Sequence, residues 1–383
     1  MSHHIWRSGN HHGHVVSVSS RSSPKLSRSR PRRRGRSADR GIPRFLLQTH
    51  SEIRRKFLEL EYLQNDRLTE SLMNQEEDSK WRLDDSPEVT SRNRYSNIAA
   101  WEHNRIKLDV PPEHCNYINA SPITLHSRKD GSVKQYICTQ GPREGQFNHI
   151  WRMIWQETEE VAVIVMLTKT SELGRDKCFQ YFPETVEDGA WVINGDEEFR
   201  DGFQATIECV EKTKDKRSSC TMRKMVLKVG DKERTVWHLL FKGWPDFGVP
   251  EGEDRNALLG TIKLANEKNS GPHNPLIVHC SAGVGRSGTF VTLDHFIHEI
   301  DSGTIGVDER EDLVFEKVNM LREQRMYMVQ SQVQFEFLYQ VLKEKFQRRG
   351  KSASPPGTTM DELVETDEEL DGGELDGGVL LHS

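Results

Sequence analysis

The sequence predicts one α/β or α+β domain of about 300 residues between two disordered tails. Three observations carry this. A β-branched run at 161–167 suits a strand buried on both faces. Three alternating segments, 205–209, 222–229 and 234–241, suit neighbouring antiparallel strands, the last two joined by a turn at Gly230-Asp231. After Pro250, the stretches 254–267, 287–300, 311–325 and 331–346 suit helices.

Taken in chain order, residues 1–40 hold ten basic side chains against one acid, Asp39, a net of +9 among Ser, His and Gly. Such a segment buries too little apolar surface to offset the entropy of ordering it, so 1–48 is expected to be a disordered tail. Its cluster Arg30-Pro31-Arg32-Arg33-Arg34-Gly35-Arg36 suits a nuclear-import signal or an anionic surface, and equally a solvated tail with no address. His3, His4, His11, His12 and His14 have no fold signalled around them to fix a metal geometry. The domain is expected over 51–347. It begins with a helix at 51–65, which Ser51 can cap and where Ile53, Phe57, Leu58 and Leu60 recur near helical spacing. A second apolar-aromatic helix is expected at 147–155. The end, 348–383, is expected to be a second disordered tail, with nine acids and no Lys or Arg in 361–383, a net of −9. The tails cancel, and the chain as a whole carries −6.

Mixed composition with 8% aromatic residues excludes collagen, coiled coil and a wholly disordered chain. The apolar run at 161–167 falls far short of the roughly 20 residues that span a bilayer. Six cysteines are spread without a C-x-x-C pair and no secretory signal is visible. These features point to a reducing compartment, cytoplasmic with a nuclear pool as the alternative.

The most informative stretch is Pro275-Leu276-Ile277-Val278-His279-Cys280-Ser281-Ala282-Gly283-Val284-Gly285-Arg286-Ser287-Gly288. An apolar strand ends at a cysteine, a small-residue loop follows, and a helix starts at the arginine. Gly283 and Gly285 let backbone N–H groups converge without a Cβ in the way. The helix N-terminus adds partial positive charge, and Arg286 adds a planar fork that matches two phosphate oxygens. The same field favours a thiolate at Cys280, a nucleophile aimed at phosphorus. A cysteine ending a buried strand is commonly only a small hydrophobe. The company of His279, Arg286 and Ser287 argues against that here, and a Walker-type loop would need a Gly-Lys-Ser/Thr ending that is absent.

His279-Cys-Ser-Ala-Gly-Val-Gly-Arg-Ser-Gly288 resembles the signature loop of the cysteine-based, tyrosine-specific protein tyrosine phosphatases of non-receptor type. Asn93-Arg94-Tyr95 resembles that family's phosphotyrosine-recognition loop. Tyr117-Ile118-Asn119-Ala120-Ser121 and Thr139-Gln140-Gly141-Pro142 resemble two further family stretches, and Trp244-Pro245-Asp246-Phe247-Gly248-Val249-Pro250 resembles its mobile acid loop. Together these span about 90–340.

The resemblance implies a central, highly twisted mixed β-sheet flanked by helices. It implies phosphotyrosine hydrolysis through a phosphocysteine on Cys280, with phosphate held by Ser281, Ala282, Gly283, Val284, Gly285 and Arg286. Asp246 is the implied general acid; by itself a Pro-Asp pair suits any surface turn. The resemblance also implies that Ser287 stabilises the departing thiolate and that Gln330 and Gln334 position water. Tyr95 would wall a deep pocket that favours phosphotyrosine over phosphoserine. Asn97 stands where the family usually has Asp, which removes a charge beside the substrate backbone. His279 and Trp244 are implied supports, Glu172 an acid that orients Arg286, and Lys177 a lysine near the acid loop. No metal or cofactor is expected. The expected partners are phosphotyrosine-containing proteins, without nucleic acid or a membrane span, for a monomer whose tails are available to regulators. An exposed Cys280 thiol is expected to oxidise readily. The rival readings are a phosphotyrosine-binding pseudophosphatase and a broader phosphatase acting on Ser/Thr/Tyr or lipid phosphate.

Overall fold

The computed structural model describes residues 41–74, 76–245 and 248–352, the last three as backbone only. The chain divides into Met1–Arg40 and Gly41–Ser383, and the sheet and helices described below all belong to the second unit. Of the tails expected at 1–48 and 348–383, residues 1–40 and 353–383 lie outside the described residues, while helical backbone runs on to Ser352.

An eight-stranded sheet forms the centre. In chain order its strands are β1 (Ala120–His126), β2 (Val133–Thr139), β3 (Val161–Met166), β6 (Trp191–Ile193), β7 (Ala205–Lys214), β8 (Thr221–Val229), β9 (Lys232–Leu240) and β10 (Leu276–His279), while β4 (Ser171–Glu172) and β5 (Arg175–Asp176) make a separate small hairpin. The spatial order is β1-β2-β10-β3-β9-β8-β7-β6. The four inner strands β2, β10, β3 and β9 run parallel, and both flanks are antiparallel. The helices are α1 (His50–Met73), α2 (Pro87–Arg92), α3 (Phe147–Glu157), α4 (Gly252–Lys268), α5 (Gly285–Asp301), α6 (Leu313–Gln324) and α7 (Gln332–Ser352).

Alternation along the inner strands makes two cores. Val163, Val165, Leu276 and Val278 face one side, with side chains of α1 and α4 to α7. Ala162, Ile164, Met166 and Ile277 face the other, with Ile150, Trp151 and Ile154 of α3. The expected turn at Gly230-Asp231 joins β8 to β9.

Three expectations are corrected. The cap of α1 is Thr49, whose Oγ1 accepts from Glu52 N (3.3 Å) while Glu52 Oε2 accepts from Thr49 N (2.8 Å), a reciprocal box that Ser51 does not make. The body reaches back before residue 51, because the 3₁₀ turn Arg44–Leu47 buries Phe45 and Leu46 in the core. Strands do not all precede helices. The α4 crossover returns the chain to place β10 between β2 and β3, so the cysteine-bearing strand lies mid-sheet.

Candidate active site

The parallel strands end on one edge of the sheet, the usual place for a ligand site in such a sheet. There β10 gives way to Cys280, and a cleft of about 410 Å³ opens between loops. Cys280 lies at its floor. It is 4% exposed, so the expectation of an exposed thiol is corrected: the sulfur is reached through the cleft. Sγ accepts from Gly283 N (3.2 Å) and from Ser287 Oγ (3.4 Å).

The loop from Cys280 to Gly285 folds tightly because small residues allow it. Gly283 has φ +72°, and a Cβ there would stand 2.1 Å from the Thr139 carbonyl oxygen. The following helix α5 starts at Gly285, ahead of Arg286 and of the stretch expected at 287–300, and has no side-chain cap. Its first N–H groups and positive dipole end therefore remain for an anion. Arg286 follows in the first turn. Nη1 and Nη2 donate to Glu172 Oε1 and Oε2 (2.7 and 2.9 Å), Nη1 also to Leu167 O (3.0 Å), and Nη2 to Pro245 O (3.3 Å). Glu172 is buried. Burial raises its carboxyl, but the paired Arg286 fork, Thr168 Oγ1 and Lys169 N outweigh it and bring the value down to about 2.

The walls come from distant parts of the chain. Tyr95, Asn97, Glu172, Lys177, Ser281, Ala282, Gly285, Gln330 and Gln334 line the cleft with Cys280 and Arg286. Ser281 Oγ donates to Lys177 O (3.0 Å) and bonds Tyr95 OH (2.7 Å), which fixes the tyrosine ring against the loop. The Tyr95 loop is docked from behind: Asn93 Oδ1 accepts from Tyr117 OH and Asn119 Nδ2 (2.8 Å each), and Arg94 Nε donates to Gly141 O (2.9 Å). Gln330 and Gln334 lie against Gly285, where even a methyl group would crowd the Gln334 amide at 3.0 Å.

Val284 is fully buried and does not face the cleft; its carbonyl accepts from Gly288 N (2.9 Å) and Val329 N (3.1 Å). His279 is likewise behind the site. Its Nε2 bonds Tyr181 OH (2.8 Å) and its Nδ1 faces Cys280 O (3.1 Å). Burial pushes its imidazole down to about 4, so it is neutral at pH 7, with Nδ1 the donor and Nε2 the acceptor. Trp244 is buried, and its Nε1 donates to Gly248 O (3.2 Å). Asp246 lies outside the described residues. Among the described residues no group of His, Cys, Asp or Glu is placed to hold a metal ion.

Two supports are not among the site residues expected from the sequence. Arg325 is completely buried behind the loop: Nε donates to Gly283 O (2.9 Å), Nη2 to Ala282 O (3.1 Å) and Asn119 Oδ1 (2.7 Å), and Nη1 to Ser121 Oγ (3.2 Å). Holding those carbonyls outward turns the opposite faces of the peptides toward the cleft. Gly141 is the second, since a Cβ there would meet Lys177 O at 2.7 Å and Cys280 O at 2.9 Å.

The family model described as protein-tyrosine phosphatase matches residues 89–344. The chain belongs to the protein-tyrosine phosphatase family. Among its phosphatase relatives, tyrosine-protein phosphatase 2 of Schizosaccharomyces pombe is 32% identical over 294 residues, 75% of this chain and 38% of that protein. Human tyrosine-protein phosphatase non-receptor type 9 is 31% identical over 283 residues, 70% of this chain and 44% of that protein. This chain thus aligns with less than half of either phosphatase. The crystal structure of the catalytic domain of human protein tyrosine phosphatase non-receptor type 18 superposes with a TM-score of 0.60 at 26% identity, covering 77% of this chain and 96% of that one. Among the described residues, no helix of the chain is long and apolar enough to cross a membrane.

Proposed function

We propose that the protein hydrolyses phosphotyrosine in other proteins through a phosphocysteine intermediate. One observation carries the reading: the Cys280 sulfur, with donors from Gly283 and Ser287, lies at the floor of a cleft that Arg286 and Tyr95 line. The phosphate dianion binds the Arg286 fork and the N-terminus of α5. The thiolate attacks phosphorus; the S–P bond forms as the bond to the phenol oxygen breaks, and Asp246 gives that oxygen its proton. Asp246, now a carboxylate, takes a proton from a water positioned by Gln330 and Gln334. That water attacks phosphorus, the S–P bond breaks, and inorganic phosphate leaves while Ser287 stabilises the returning thiolate. Most of the acceleration falls to Arg286 and the backbone donors, because phosphoryl transfer depends chiefly on positioning and charge stabilisation.

Tyr95 supports the choice of substrate. Its ring, tied to Ser281, lengthens the path to the sulfur, and a phenyl phosphate spans that path where a serine phosphate falls short. Peptide pairs differing only in phosphotyrosine or phosphoserine test this. The ratio of kcat/KM is expected to favour phosphotyrosine by at least roughly 10³-fold and to shrink in Tyr95→Ala. Comparable rates on the two peptides, or on a phosphoinositide, would overturn the specificity. The described cysteines are all unpaired, which supports action in a reducing, cytoplasmic setting; a chain confined to membrane or organelle fractions after cell fractionation would contradict it.

A further inference from the structure

The carboxyl end of α5 borders a second cavity, of about 380 Å³, between the turn end of the β1–β2 hairpin and the segment leading from α4 to β10. The volume suits a small organic molecule, and Leu125, Val133 and Pro272 give it apolar walls. Several polar groups around it are committed to other protein groups. Lys134 Nζ donates to Asn266 Oδ1 (2.6 Å) and Asp294 Oδ2 (2.7 Å), and Asn266 Nδ2 donates to Asp294 Oδ1 (2.9 Å). Asn269 Nδ2 is spent on the carbonyls of Gly271 and Asn274 (2.8 Å each).

His295 and Glu299, one turn apart on α5, are buried and not committed in this way. Glu299 is 1% exposed, and neither carboxylate oxygen has a hydrogen-bond partner. His295 is 4% exposed, borders the cavity, and its ring makes no hydrogen bond among the described residues. Burial, then Lys317, Lys134 and His298, pushes its imidazole down to about 3, so the ring is neutral and keeps an acceptor nitrogen. Lys317 of α6 acts on Glu299 at longer range, with no ion pair between them among the described residues. Two buried acceptors lacking donors cost stability until a donor arrives. Among the described residues no basic side chain pairs with either acceptor, which leaves both open to a donor from outside the protein.

We propose that this cavity is a binding site for a small organic amine, an apolar body whose ammonium N–H groups donate to Glu299 and His295, with Glu299 turning its carboxylate into the cavity it borders. An ammonium offers three donors and no acceptor, the complement of what the walls lack. The site is separate from the phosphate cleft, which lies at the opposite end of the same helix.

Calorimetric titration of the full chain with phenethylamine tests this, with inorganic phosphate at saturation to fill the catalytic cleft and 2-phenylethanol as the neutral comparison. The expected result is saturable one-to-one binding of the amine, at least about tenfold tighter than the alcohol. Glu299→Gln, nearly isosteric, should weaken the amine by at least about tenfold and leave phosphatase turnover unchanged. The amine-to-alcohol ratio needs no variant, so a failure of Glu299→Gln to fold leaves the test intact. Absence of saturable binding, equal affinity for the alcohol, or unchanged affinity in a folded Glu299→Gln would overturn the proposal.

Discussion

The floor and the supports of the catalytic cleft are built in opposite ways. The floor is one contiguous stretch, 280–287, in which nucleophile, glycine turn, helix start and arginine follow one another directly. The supports come from four separated places: the loop before Ile98, the small hairpin carrying Glu172, the β2 exit at Gly141, and the residue after α6, Arg325. The floor supplies the groups that touch phosphate, and the supports decide where those groups point. Substitutions in the two regions should therefore fail differently: the floor should lose chemistry, and the supports should lose precision.

The largest effect expected is at the floor. Arg286→Ala removes the fork that matches two phosphate oxygens, and kcat/KM for a phosphotyrosine peptide should fall about 10³-fold or more. Steady-state kinetics check this, and a loss below about tenfold would show that the backbone donors carry the charge alone. A smaller effect is expected at Arg325, which touches the loop only from behind. Arg325→Met should lower kcat by roughly 10²-fold, the scale of a misplaced catalytic group, with KM changed much less. Arg325→Lys should recover part of the rate. An equal loss in the two variants, tracked by their melting temperatures, would make the residue merely structural.

The smallest effect concerns Glu172 and pH. Its carboxyl is held at about 2 in the folded state, below its ordinary 4.5, so its stabilisation is complete above pH 4.5 and disappears as pH falls toward 2. Denaturant titrations of wild type and Glu172→Gln should therefore differ most near neutrality and converge through that acid window. A difference that stays constant with pH would mean that the Arg286 pair is not its source.

The same contrast explains how much is legible in the amino-acid sequence. The floor is legible because its chemistry needs fixed residue types at fixed spacing, and the inner strand at 161–167 because burial on both faces demands an unbroken apolar run. Arg325 is illegible: its partners Gly283, Ala282 and Asn119 are remote in sequence, and alone it reads as the basic end of a helix. Its one signal is an arginine at the edge of an apolar helix that has every reason to be buried. Gly141 lies within a stretch that resembles the family, yet the close approach of Lys177 and Cys280 that requires it exists only in the fold. Strands β1 and β2 escape a reading by pattern, because the half-polar text of their hairpin lacks the clean alternation seen at 222–229. Thr49 and Ser51 are both good caps, and only the reciprocal bond with Glu52 distinguishes them.

The mechanism stands on Cys280 as the carrier of the phosphoryl group. Its most direct test is rapid acid quench of the wild-type protein during turnover of a phosphotyrosine peptide, followed by mass mapping, with Cys280→Ser run in parallel. A phosphocysteine mechanism predicts phosphate on the Cys280 peptide of the wild type, none in the variant, and turnover reduced at least roughly 10⁴-fold. Turnover by Cys280→Ser within about tenfold of wild type would contradict it.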